Sequence, residues 1–579
     1  MVVAGAKFQA NFAVDPANAR KRSVVVETAP VDASMGTTLE VDMAAAKNLP
    51  VGADGSRDFT AVADLSPSAS RDSASYHYEG HARVHQPRRH SHDDHHGYHH
   101  FDYERYEETP STSWRGTKST STFSIDVDAA SYTNVRRYIQ DGQLPPAQAV
   151  RIEEMINYFD YAYPDPPKDG PFGVYAELGP CPWDEESRLL QIGLNASRVD
   201  DSNIPARNLV FLVDVSGSMH GSDRLPLLQQ ALMMLTAQLR AEDTIAIVAY
   251  AGSTGVVLPP TRGDRHSVIL EAVARLQAGG GTNGAGGIRE AYELARSSFR
   301  KGGVNRVILG TDGDFNVGIS DPEGLEALIE GERKSGIELS VLGFGRGNLD
   351  DAALERLADH GNGNYHYIDG RGEARKVLVE EANANLVTVA KDVKLRVNFD
   401  PDWVDAYRLI GYANRQLETE DFEDDTKDAG EMGAGHSVTA LYELRLSPDP
   451  NSSDAGASRK KRRRAKASRT LATIDVRYKA PGAAKSKLRH FTVPSPATAK
   501  GGIGTERFRL AAAVATFGLM LRREIPGSDR HPKDLIGILP QRAASKADER
   551  ISELGNLFVT YAERWRRHWP DRRWGEDWD

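Results

Sequence analysis

The sequence is almost without cysteine: Cys181, held between Pro180 and Pro182, is the single one in 579 residues. No intramolecular disulfide can form, which excludes a cross-linked small-domain scaffold and a multi-cysteine metal site. Cys181 also lacks a histidine placed to activate it, so it reads as a buried structural thiol rather than a nucleophile. No run approaches the ~18 apolar residues of a membrane-crossing helix, and Met1 to Ala10 lack a signal-peptide pattern. An excess of one charge is missing too: the formal net charge is −10, which leaves no global nucleic-acid footprint. There is no Gly-Lys-Ser/Thr, hence no Walker loop. Gly279, Gly281 and Gly284 have dinucleotide spacing but follow a helical pattern instead of a strand.

A hydrophobic content of 40% supports a globular protein, and the length is too great for one core. Residues 1–66 contain Val24-Val25-Val26-Glu27-Thr28-Ala29-Pro30, then Gly36-Thr37-Thr38-Leu39 and Leu49-Pro50-Val51-Gly52. This order resembles the opening of the plug domain of TonB-dependent outer-membrane receptors, with no barrel after it; a variable polar leader is the other reading. A plug-like fragment so near Met1 leads us to expect an upstream segment carrying an export signal. Residues 67–118 turn to serine, histidine, arginine and acidic residues, too polar to offset ordering entropy, and are expected to be a disordered linker. His90, His92, His95, His96, His99 and His100 lie there without tetrahedral spacing and read as a solvated tail.

The densest chemistry is Asp214-Val215-Ser216-Gly217-Ser218. It follows the apolar run 209–213 and precedes a helical pattern with Leu225, Leu228, Leu232, Leu235 and Leu239 on one face. A buried strand thus delivers one carboxylate and two hydroxyls to a loop at a sheet edge. Hard oxygens without thiolate or imidazole suit Mg²⁺, Mn²⁺ or Ca²⁺ and not zinc or copper. Two more polar loops follow in order, Gly280-Gly281-Thr282 and Gly310-Thr311-Asp312-Gly313. The three together resemble the metal-ion-dependent adhesion site of von Willebrand factor type A domains. That resemblance implies a metal held by Asp214, Ser216, Ser218, Thr282 and Asp312, which captures an Asp or Glu side chain of a protein partner. Asp314 is an outer acceptor or an ordinary surface carboxylate.

Strand and helix patterns alternate through residues 208–388, which predicts a doubly wound, mostly parallel sheet with helices on both faces and ligand loops at the strand ends. The flanks differ. Residues 119–207 give a strand at 121–128, a helix at 130–139, a longer helix opened by Pro145-Pro146 and running to Phe159, and a hairpin at 171–197. The run from Arg151 to Phe159 resembles the amino-terminal domain of the bacterial YfbK-like subgroup of type A proteins. Residues 389–500 are strand-rich, interrupted at 447–469 by a basic loop containing Arg459-Lys460-Lys461-Arg462-Arg463-Arg464, and 501–579 are helical. Because doubly wound domains bring their termini together away from the ligand loops, the strands at 171–197 and 393–478 are expected to pair into a single sheet split by the insertion.

Histidines near these loops are few, His220 and His266, and no triad order can be defended, so no enzyme is expected. Arg262-Gly263-Asp264 is a tripeptide that chance supplies easily. The leading expectation is a metal-dependent adhesion or assembly module of the bacterial envelope, extracytoplasmic by family resemblance, with no nucleic-acid partner. The alternative is an intracellular scaffold or co-chaperone working with an ATPase or a metal-insertion complex.

Overall fold

The computed structural model describes residues 23–27, 38–42, 120–167, 170–200, 203–281, 284–313, 322–346, 350–447, 470–495, 504–525, 532–540 and 546–568. Thr282, Asp314, the linker 67–118 and the basic stretch 448–469 lie outside the described residues. The chain divides into two units, Met1–Gly97 and Tyr98–Asp579. In the first, β1 (Ser23–Glu27) pairs antiparallel with β2 (Thr38–Asp42).

The second unit opens with β3 (Thr120–Ser124), α1 (Ala130–Gln140), α2 (Ile152–Asn157), β4 (Phe172–Pro180) and β5 (Arg188–Ala196). An α/β module follows, with β6 (Arg207–Asp214), α3 (Leu225–Thr236), β7 (Thr244–Tyr250), β8 (Thr254–Arg262), α4 (His266–Ala274), α5 (Gly284–Ser297) and β9 (Val304–Thr311). It continues through α6 (Pro322–Lys334), β10 (Glu338–Phe344), α7 (Asp351–His360), β11 (Tyr365–Ile368), α8 (Arg371–Arg375) and α9 (Ala382–Leu386). The chain then returns to strands, β12 (Thr388–Phe399), β13 (Val404–Ile410), β14 (Gly430–Gly433), β15 (Ser437–Leu446), β16 (Thr470–Lys479) and β17 (Lys487–Pro494), before α10 (Glu506–Leu521) and α11 (Lys546–His568).

Six strands form the module's sheet in the order β11-β10-β9-β6-β7-β8, parallel except for β8 at one edge. The doubly wound architecture expected for 208–388 is the one observed. Strand β6 shows why it must be covered on both sides. Leu209, Phe211 and Val213 enter one core beneath α3, α4 and α8, whereas Val210 and Leu212 enter the other beneath α5, α6 and α7. Each such side chain removed from water contributes about 1.5–3 kcal/mol. The apolar stripe of α3 lands as its spacing predicts, with Leu225, Leu228, Leu232 and Leu235 buried.

The expected single sheet is two sheets. Strands β4 and β5 join β15 and β13 in the order β13-β15-β5-β4. Strand β12 instead pairs β16 along one side, and along the other takes β14 near its start and β3 near its end. The two sheets pack face to face around Phe123, Ile192, Leu194, Val397, Tyr442 and Ile474. The reason is alternation: Leu190, Ile192 and Leu194 of β5 face this sandwich core, while Leu189 faces a second layer. That layer consists of α1, α2, α10 and α11, packed through Ile152, Met155, Phe517 and Phe558. A β-sandwich is therefore interrupted between β5 and β12 by the whole α/β module.

Two helices are shorter than their patterns suggest. The one expected from Pro145 to Phe159 breaks at Val150-Arg151, where the Ser131 hydroxyl donates to the Ala149 carbonyl and receives the Arg151 N–H. The last helical pattern of the module, which the sequence predicts over 370–389, is two short helices about a π turn at Lys376–Glu380, and β12 already starts at Thr388. Entry and exit of the module meet at the foot of the sheet. There Arg207 Nη2 donates to Asn383 Oδ1 at 2.6 Å, and the buried Arg306 donates to the Asn385 carbonyl at 2.8 Å. Cys181 is buried, and burial pushes its thiol up to about 12, which leaves it inert.

Candidate metal-binding site

The site stands at the carboxyl ends of the two central strands, where parallel-sheet loops converge. Asp214 closes β6 and is wholly buried. Its Oδ1 accepts the Ser216 N–H at 2.9 Å. Its Oδ2 accepts the Tyr250 hydroxyl at 3.1 Å from the end of β7 and the Thr311 hydroxyl at 3.0 Å from the end of β9. Burial raises the carboxyl above its ordinary pKa, and the Ser216 and Thr311 hydrogen bonds oppose that rise by favouring the ion. Asp214 is thus a fixed, oriented acceptor.

The next residues turn the chain over it. Ser216 Oγ and Ser218 Oγ lie 2.9 Å apart, and the buried Met219 anchors the short 3₁₀ turn Gly217–His220. The glycine loop is stitched to this turn: the Gly217 N–H donates to the Gly280 carbonyl at 3.0 Å, and the Gly279 N–H to the Val215 carbonyl at 2.8 Å. Gly280 has φ +87°, a left-handed conformation that glycine adopts without strain. That stitching holds Gly279 and Gly280 against the first loop, and Gly281, the last described residue before Thr282, lies beside Gly252. Asp312 follows β9, 1% exposed, with its Oδ2 at 3.2 Å from Arg224 Nη1.

Four of the five ligands expected from the sequence, Asp214, Ser216, Ser218 and Asp312, are therefore brought to one loop cluster, and the fifth, Thr282, lies outside the described residues. Among the described residues no group of three His, Cys, Asp or Glu side chains forms a metal cluster. The donor set here is different in kind, two hydroxyls and two carboxylates, and its chemistry fits a hard divalent cation. The guanidinium of Arg224 is a cation that faces Asp312.

Three contributors are absent from the sequence reading. Tyr250 and Thr311 touch Asp214 from neighbouring strands, and only the strand order reveals them. Arg224, six residues past Ser218 at the head of α3, is hidden because its direction depends on the turn before it. It donates to the carbonyls of Ser218 and Arg346. Other candidates resolve as structure. His220 Nδ1 sits 3.3 Å from the Gly217 carbonyl and His266 Nε2 3.4 Å from the Leu239 carbonyl. Arg262 and Asp264 pair with each other at 2.8 Å.

Asp126 and Asp128, just past the end of β3, form a joint between the flank and the module. Asp126 Oδ1 accepts the Asp128 N–H, and Asp128 Oδ1 accepts the Tyr365 N–H of β11 at 3.0 Å. Arg415 lies 3.4 Å from Asp126 Oδ2 beside a cavity of about 320 Å³ between the module and the sandwich.

Comparison with known proteins identifies the family of the module. Residues 208–379 match the von Willebrand factor type A domain, residues 98–191 a family described as von Willebrand factor, and residues 384–561 the carboxy-terminal family of the uncharacterized protein YfbK. The uncharacterized protein YfbK of Escherichia coli is 45% identical over 411 residues, covering 69% of this chain and 71% of that one. The chain belongs to the YfbK-like von Willebrand factor type A proteins. Other relatives of this YfbK-like chain are similar over about a third of its length. An uncharacterized Synechocystis protein is 30% identical over 32% of the chain and 43% of its own length, and human inter-alpha-trypsin inhibitor heavy chain H4 is 28% identical over 31% and 19%. A solved von Willebrand factor type A structure from Catenulispora acidiphila aligns at 16% identity with a TM-score of 0.36, over 56% of this chain and 73% of that one. Type A domains are in general protein-interaction modules, often metal-dependent, and the YfbK-like chain carries one.

Proposed function

We propose that this chain is a metal-ion-dependent protein-binding module of the bacterial cell envelope, serving adhesion or assembly. Asp214, Ser216, Ser218 and Asp312, with Thr282 from the adjoining loop, would hold Mg²⁺, Mn²⁺ or Ca²⁺. A cation bound there supplies an open coordination position and positive charge for the carboxylate of a partner's Asp or Glu. The observation that carries the reading is the paired hydroxyls of Ser216 and Ser218, 2.9 Å apart, beside an Asp214 whose two oxygens are already oriented by three donors. Such a prearranged oxygen set favours binding, because little ordering remains to be done when the ion arrives.

In this reading the serine hydroxyls and carboxylates hold the ion and do not act as nucleophile and base, so the proposal includes no turnover. Envelope placement rests on family resemblance and the plug-like leader, and cell fractionation tests it. The decisive experiment is capture of partners from envelope extract on the immobilised full chain, in Mg²⁺ and in EDTA. The retained protein should appear in Mg²⁺, vanish in EDTA, and vanish in Mg²⁺ for Ser218→Ala and Thr282→Ala. Equal retention after chelation, or metal-dependent hydrolysis by the purified chain, overturns the reading.

A further inference from the structure

The residue that the metal-site reading leaves without a task is Arg224. Its head group is held from several directions. Nη1 faces Asp312 Oδ2 at 3.2 Å and donates to the Ser218 carbonyl, and Nη2 donates to the Arg346 carbonyl at 3.0 Å. Gly345, at φ +80°, leaves the room: a Cβ there would come within 2.4 Å of Arg224 Nε. Arg346 is itself occupied, pairing with Asp141 at 2.6 Å and lying 3.9 Å from Asp223. Arg224 is thus a fixed positive charge built into the loop cluster, with 19% of its side chain exposed.

Counting formal charge at this cluster gives a sign. Asp214 and Asp312 carry two negative charges and Arg224 one positive, so the described ligand set is singly negative. With a divalent cation it becomes singly positive. Without Arg224 the same two states would be doubly negative and neutral. We propose that Arg224 sets the order of binding at this site: it weakens the hold on the metal alone and makes the metal-loaded site attractive to a carboxylate, so that cation and acidic ligand recruit each other. The inference rests on the metal-site reading above and adds to it a residue that touches neither ion nor partner in its assigned role. A neutral or negative loaded site would retain metal well and greet an incoming carboxylate poorly; a positive one does the reverse. Reciprocity then requires that the carboxylate tighten metal binding by the same factor as the metal tightens carboxylate binding.

Mn²⁺ alone and acetate are sufficient probes. Mn²⁺ binding to the full chain is followed by electron paramagnetic resonance at one fixed pH, with and without acetate, and sites elsewhere are subtracted with Asp214→Asn. Wild type should bind Mn²⁺ more tightly when acetate is present. Arg224→Gln and Arg224→Met should bind Mn²⁺ alone roughly tenfold more tightly, and the same acetate concentration should help less, as expected from loss of one unit charge a few ångströms away. Arg224→Lys should stay close to wild type. A purely structural role for Arg224 predicts weaker binding in both neutral variants, so equal or weaker Mn²⁺ binding in them, with circular dichroism showing an intact fold, overturns the proposal. An acetate effect of undiminished size at the same acetate concentration overturns it too. A wild type that binds no Mn²⁺ above the Asp214→Asn baseline would instead remove the metal-site reading itself.

Discussion

At the scale of the residue, Asp214 joins two jobs that its position in a loop motif would keep apart. It is an expected metal ligand, and it also satisfies Tyr250 and Thr311 inside the sheet end. From the sequence, Asp214→Ala should spare the fold, because the motif looks like a surface loop; the structure makes the residue fully buried. Truncation leaves two hydroxyls without their acceptor, each costing about 1–3 kcal/mol when buried. We therefore expect urea midpoints to fall clearly for Asp214→Ala and much less for Asp214→Asn, while Ser218→Ala stays near wild type. The motif residues were legible because one turn carries them at fixed spacing. Tyr250, Thr311 and Arg224 were not, because their contacts run between strands that only the fold makes neighbours.

At the scale of the element, β5 is the strand on which two layers depend. It pairs with β4 and β15, feeds Leu190, Ile192 and Leu194 to the sandwich, and turns its other face to the helices. Gly193 on that other face lies under the Tyr163 ring, where a Cβ would come within 2.2 Å of the ring carbon. Tyr163 is pinned by hydrogen bonds with Thr439 and Gln191, so it has little room to move. Gly193→Ala should destabilise by about 1–3 kcal/mol through overpacking, read as a lower thermal midpoint, and Tyr163→Ala in the same chain should recover part of the clash energy. The strand itself was readable from its alternation. Its partners were not: alternation says that both faces are used, but not which of two sheets each later strand will enter. Helix lengths failed for a related reason, since the break at Arg151 is made by Ser131, a residue twenty positions earlier.

At the scale of the whole molecule, the α/β module is fastened to its flanks by buried charge. Arg151 reaches Glu154 and Asp351, and Arg136 reaches Asp369 and Glu373. His366 on β11 and His436 before β15 lie at the same seam, and burial, followed by the nearby Lys376, pulls them down to about 3 and about 4 from 6.5. As pH falls below 6.5 the unfolded chain takes up protons that these folded histidines refuse, so stability is lost progressively down to about pH 3–4. Glu355 acts in the opposite sense: burial holds it up to about 7 from 4.5, so its contribution weakens as pH rises through that interval. The double variant His366→Gln, His436→Gln should show a shallower loss of urea stability between pH 6.5 and pH 5 than wild type, and Glu355→Gln a steeper one. A double variant that matches wild type across that range would mean that the seam does not titrate as described.

The interrupted sandwich also dictates an order of events during synthesis. Strand β5 ends at Ala196, yet β15, its partner, begins at Ser437, and β3 waits still longer for β12. At ~5–20 residues per second the ribosome takes roughly ten to fifty seconds to cover the interval between β5 and β15. The α/β module, whose strands all lie within that interval, can close first, while the earlier strands emerge with open edges. Nascent chains stalled before residue 437 should therefore hold a protease-resistant module beside a cleavable amino-terminal arm, and that arm is where a chaperone would find its grip.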